Sequence, residues 1–89
     1  MDRLKEHIIE GSAVKSKAGR DKGRYFIVTA VSEDYVWLSD GMLRKLEKPK
    51  KKKKKHVEPV AAKKLVEPGT LTNKSASALI KELYAADKN

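Results

Sequence analysis

Between Lys15 and Arg24 the chain places five cations, Lys15, Lys17, Arg20, Lys22 and Arg24, around one acid, Asp21, and two glycines, Gly19 and Gly23. The chemistry these side chains offer is anion binding. Guanidinium forks fit phosphate oxygens and stack on exposed bases, whereas lysines act as mobile point charges. A nucleotide cradle is the sharper alternative, and its spacing fails. A Walker loop needs Gly, four residues, then Gly-Lys-Ser/Thr, but here Gly19 is followed by three residues, Gly23 and Arg24. No hydroxyl is placed to hold magnesium, and the run leads into a strand pattern rather than the helix N-terminus that would receive phosphate. The plainer alternative is a solvated hairpin whose charges keep a small protein in solution. In either case Asp21 is expected to cap or brace the turn by accepting hydrogen bonds, and Tyr25, on the opposite strand face from Phe26, offers a plane for stacking.

A second basic feature follows. Lys50, Lys51, Lys52, Lys53, Lys54 and Lys55 form an unbroken run ending in His56, with Lys48 just ahead of it. Such a run cannot read sequence, but each phosphate it neutralises releases counterions. About six contacts would make affinity fall roughly a thousandfold between 50 and 200 mM salt. A disordered solubilising linker or a nuclear localisation signal would have the same composition. An anionic membrane surface fits less well, because the run lacks interleaved aromatics and an amphipathic partner segment.

Catalysis would need a nucleophile with a base, a metal cluster or paired carboxylates. There are no cysteines, which excludes disulfides, thiolate metal sites and cysteine nucleophiles. The two histidines, His7 and His56, lie near the N-terminus and at the end of the lysine run, contexts of solvated or phosphate-contacting residues. No enzyme activity, metal, cofactor or small-molecule substrate is expected. The first residues lack the apolar stretch of a signal peptide, and no run approaches a membrane span of about 20 residues, so an internal, cytoplasmic location is expected.

The elements that position these groups can be read from charge and periodicity. The 89 residues carry a formal charge of +9. Residues 1–47 contribute +1, 48–64 contribute +8 and 65–89 contribute 0. The excess charge therefore sits in one tract, which by self-repulsion should be extended unless a polyanion holds it. Ahead of it, "SAVKSK", "RYFIVTAV", "DYVWLS" and "MLRKLE" read as short strands. Asp40-Gly41 is a strong hairpin signal, because a type I′ turn needs positive φ at both central positions. That turn would set Trp37 opposite Arg44 and Leu38 opposite Leu43. Several short strands separated by turns suggest a small twisted barrel, in which closing the sheet removes exposed edges. After "EPGTL" the period changes to helical. Thr72 or Asn73 can cap a helix whose stripe of Ala76, Leu79, Ile80, Leu83 and Tyr84 must pack either on the barrel or on a partner. The expected layout is a barrel over 1–47, a lysine-rich extended tract over 48–69 and an amphipathic helix over 70–89.

"GSAVKSKAGRDKGRYFIV" resembles a KOW motif, with Gly11, Val14, Gly19, Lys22, Gly23 and Val28 in the motif's places. With "SDGMLRKLEKPKKKKKKH" added, residues 11–56 resemble the archaeal and eukaryotic large-subunit ribosomal protein fourteen family and similar short bacterial KOW-domain proteins. "LTNKSASALIKEL" is a looser echo. The resemblance implies a mainly β fold, an SH3-like β-barrel that binds ribosomal RNA, with the basic turn and lysine tract against phosphates. By position, Lys17, Arg20, Lys22, Arg24, Arg44, Lys48 and Lys50 to His56 are the contact candidates it implies. The resemblance does not take in the long C-terminal extensions of eukaryotic members. The expected function is therefore contact with large-subunit rRNA as a structural or assembly component, associated with ribosomes, with neighbouring ribosomal proteins met through the C-terminal helix. A KOW-type protein-interaction module using Leu79, Ile80, Leu83 and Tyr84, or an RNA-binding factor outside the ribosome, is the alternative.

Overall fold

The computed structural model describes residues 8–60 and 64–87. Five strands, β1 (Ala13–Ser16), β2 (Tyr25–Val31), β3 (Tyr35–Ser39), β4 (Lys50–Lys53) and β5 (Val57–Pro59), precede a helix, α1 (Asn73–Asp87). All neighbours in the sheet are antiparallel, in the order β4-β3-β2-β1-β5. The order forces curvature. β4 and β5 lie at opposite edges yet are joined only by a 3₁₀ turn, Lys54–His56. A flat five-stranded sheet would separate its edges by roughly 19 Å, whereas this link spans at most about 14 Å. The sheet therefore curls, and backbone bonds from Lys17 N to His56 O (2.8 Å) and from Lys54 N to Asp34 O (2.9 Å) pin the link on both sides. The result is mainly β and barrel-like, without a ladder closing β4 onto β5.

Strand alternation divides the apolar side chains between two clusters. Val14, Phe26, Val28, Val36, Leu38 and Val57 point inward and, with Ile8, fill the curled sheet. Tyr25 and Ile27 point outward from β2 and are covered by Ala76 and Ile80 of α1, with Leu79 and Leu83 alongside. The helix stripe thus docks on its own sheet through Ala76 and Ile80, with Leu79 and Leu83 half-buried and Tyr84 exposed at its margin. Burying Ile80 alone contributes about 2 kcal/mol. Tyr25 is accordingly no stacking plane: it is buried, meets Tyr84 edge-on at 4.9 Å, and has its phenol pKa raised by burial and by the hydrogen-bonded Asp87 carboxylate.

The helix starts where its cap is complete. Ser75 N donates to Thr72 Oγ1 (3.1 Å) and Thr72 N donates to Ser75 Oγ (2.9 Å), so Thr72, not Asn73, is the cap. Asn73 instead ties the helix to the loop after β3, accepting from Leu46 N (2.8 Å) and donating to Glu47 Oε1 (2.7 Å).

That loop departs from the hairpin expected at Asp40-Gly41. Gly41 has φ +76°, but no residue other than glycine has positive φ among the described residues, so a type I′ turn is excluded at Asp40. Asp40 Oδ1 accepts from Met42 N (2.8 Å) and Arg44 N (2.9 Å), folding residues 40–44 into a compact loop. "MLRKLE" is consequently not a strand. β3 pairs with the lysines instead, setting Trp37 opposite Lys51 and Leu38 opposite Lys50. The sheet therefore continues past residue 47 into β4 and β5, and the lysine tract is neither a linker nor a separate extended segment.

Candidate nucleic-acid interface

The basic turn between β1 and β2 is closed by backbone bonds from Ser16 N to Arg24 O (2.9 Å) and from Gly23 N to Ser16 O (2.9 Å). Gly23, at φ +88°, supplies the left-handed residue that returns the chain into β2. Asp21 lies inside the turn as a brace. Its carboxylate accepts from Ser16 Oγ (2.7 Å), Lys50 Nζ (2.6 Å) and Lys52 Nζ (2.6 Å). Burial alone would raise its pKa. The hydrogen bonds from Lys50, Lys52 and Ser16, with the Lys52 charge, outweigh that and hold it well below the ordinary carboxylate range.

This brace sorts the lysine run by strand alternation. Lys50 and Lys52 share the inward side of β4, opposite Leu38 and Val36, where they reach Asp21; Lys52 also donates to Ala18 O (2.7 Å), and its side chain is only 8% exposed. Lys52 is thus a structural cation rather than a free phosphate contact. Lys51 and Lys53 point to the outer face and are exposed, as is Lys55, while Lys54 and His56 are half-buried in the 3₁₀ turn. His7 lies outside the described residues. Lys15 is drawn to the helix, 5.4 Å from the Tyr25 ring centroid and 3.9 Å from Asp87. Lys17, Lys22 and Lys48 are exposed on loops.

The remaining candidates converge. Arg20 and Arg24 from the first turn and Arg44 from the loop after β3 line one open cleft of about 360 Å³, with Lys50 at its side and Phe26 and Leu43 as apolar wall. All three arginines are exposed, and none is in an ion pair among the described residues. The two acids of the cleft are otherwise engaged, Asp21 by two lysines and Asp40 by backbone amides. The cleft therefore presents guanidinium donors with little internal competition, which suits a phosphate or the edge of an exposed base.

Sequence reasoning noted Trp37 only as the expected partner of Arg44 and passed over Tyr35; both lie half-buried on the outer face of β3. Lys51 Nζ stands 4.3 Å from the Tyr35 ring centroid and 5.7 Å from that of Trp37. The signal was the i, i+2 spacing of two aromatics in "DYVWLS". Among the described residues, no group of three or more His, Cys, Asp or Glu is placed to hold a metal ion, and no helix is long and apolar enough to cross a membrane. Comparison of the chain with protein-family models and with curated proteins gives no match.

Proposed function

We propose that the protein binds RNA without catalysing a reaction, most specifically the rRNA of the large ribosomal subunit, as a structural or assembly component associated with ribosomes in the cytoplasm. The observation that carries this reading is the convergence of Arg20, Arg24 and Arg44, from loops some 20 residues apart, on one cleft whose carboxylates are already engaged. Exposed Lys17, Lys22, Lys48, Lys51, Lys53 and Lys55 add cations beyond the cleft. Folded this way the charges are held apart on a rigid frame, so a polyanion meets them without first ordering a tail. An SH3-like barrel of the KOW type accommodates the observed strand order, in which the last strand returns beside the first after a single 3₁₀ turn. The alternative, a protein contact through Leu79, Ile80, Leu83 and Tyr84, has less support, because Ile80 is buried against the sheet and Leu79 and Leu83 pack alongside it.

The test has two parts. Crosslinking of the protein to RNA in cells should yield a dominant large-subunit rRNA peak, with crosslinked residues around the cleft. In vitro, each of Arg20→Ala, Arg24→Ala and Arg44→Ala should reduce the slope of log affinity against log salt by about one. RNA affinity indifferent to all three substitutions, or crosslinks to no RNA, would defeat the proposal.

A further inference from the structure

α1 packs on the outer face of the sheet at β2, with Lys15 of β1 reaching Asp87 at its end; the outer face of β3 carries Tyr35 and Trp37. Their neighbours Val36 and Leu38 are fully buried in the inner cluster, so alternation turns both rings to the same outer side. Across the ladder Tyr35 faces Lys53 and Trp37 faces Lys51. Lys53, with Lys54, Lys55 and Asp34, also forms a shallow cleft of about 240 Å³ beside the Tyr35 ring. Two rings spaced along a strand, bordered by the four lysines Lys51, Lys53, Lys54 and Lys55 and by Asp34, combine a π surface with phosphate neutralisation.

We infer that this β3–β4 face is a second RNA-contacting surface, on which Tyr35 and Trp37 stack unpaired bases while Lys51 and Lys53 neutralise the adjoining phosphates. The inference rests on the RNA reading above but adds a different surface and a preference for unpaired RNA. Lys51 lies over Tyr35 in the free protein, and a base displaces it. Stacking of a base on an aromatic side chain is worth roughly twice or more what an exposed cation–π contact is worth. The freed ammonium then stays within reach of the strand's backbone. A purely structural role also exists for these lysines, since β4 is an edge strand and lysines on an edge discourage pairing with another chain. That role requires no preference among RNAs.

Trp37 is the only tryptophan of the chain and so reports on its own surface. The probes are a 12-mer of single-stranded oligoadenylate, a 12-base-pair RNA duplex, and inorganic polyphosphate, which carries charge without bases. Single-stranded RNA should quench Trp37 emission and polyphosphate should not. Tyr35→Thr, which keeps strand propensity, should weaken single-strand binding by about 5- to 150-fold while leaving duplex affinity within about twofold. Tyr35→Phe should retain binding. Equal quenching by polyphosphate, or single-strand affinity unaltered by Tyr35→Thr in a variant that melts like the wild type, overturns the inference. In both cases duplex binding that still depends on Arg20, Arg24 and Arg44 leaves the first reading standing. Failure of the wild type to bind either RNA overturns both.

Discussion

Replacing Asp21 by asparagine removes one negative charge from between two ammonium groups while leaving the side chain's shape almost unchanged. Lys52 Nζ would keep only neutral acceptors, Ala18 O at 2.7 Å among them, with its side chain 8% exposed. Stranding a buried charge in this way costs about 3–5 kcal/mol. A domain of this length has a total stability of about 4–13 kcal/mol, so the loss is a large share of the whole. At about 4 °C or more per kcal/mol, the melting temperature should fall by at least about 12 °C. Lys53→Ala, one residue along but on the exposed face, should stay within about 0.5 kcal/mol of wild type. Thermal unfolding followed by circular dichroism reads both. The same carboxylate sets an acid-side signature. Its folded pKa lies below the ordinary 3.8, so the stability it contributes is complete above that value and is lost as pH falls further toward the folded pKa. The wild type should therefore lose melting temperature below about pH 4, and Asp21→Asn should lack that component. A variant melting within about 3 °C of wild type, or with an unchanged acid-side loss, would refute the reasoning.

Two further predictions concern the placement of the helix. In Gly41→Ala, the new methyl would run into the Asn73 carbonyl and the first turn of α1, at a φ of +76°. Gly23→Ala has a similar φ of +88° but nothing within 4 Å of the added carbon, so it should cost only the left-handed strain of about 1–2 kcal/mol. Gly41→Ala should cost more and expose the Tyr25–Ile80 contact, read as faster amide hydrogen exchange at Ile27; equal losses in the two variants would count against the close approach. Thr72→Ala removes the acceptor for Ser75 N and should cost about 1 kcal/mol in denaturant unfolding; a neutral result would show that the cap is not contributing.

The sequence by itself determined what depends on neighbours in the chain. The β-branched and aromatic run Tyr25–Val31 is a strand because its side chains suit a pleated, half-buried surface. The turn from Lys17 to Arg24 is legible in its two glycines, and Asp21 as its brace in the short reach of a carboxylate. The apolar stripe from Ala76 to Tyr84 is legible for the same local reason, as is a cap at Thr72 or Asn73, between which the hydrogen bonds of Thr72 with Ser75 decide. What only the tertiary structure decided depends on groups far apart in the chain. Four lysines form a strand because β3 offers an unpaired edge and because Asp21, 31 residues from Lys52, neutralises the two ammonium groups that turn inward. Read locally, the same lysines repel one another and spell an extended tract. Asp40-Gly41 spells a hairpin, yet the chain passes over it, because the Asp40 carboxylate is taken by the loop's own amides and Gly41 is needed against the helix. The arginine cleft and the aromatic face both follow from that pairing. Period-two alternation divided one uniform run into cations that hold the fold together and cations that remain for a partner.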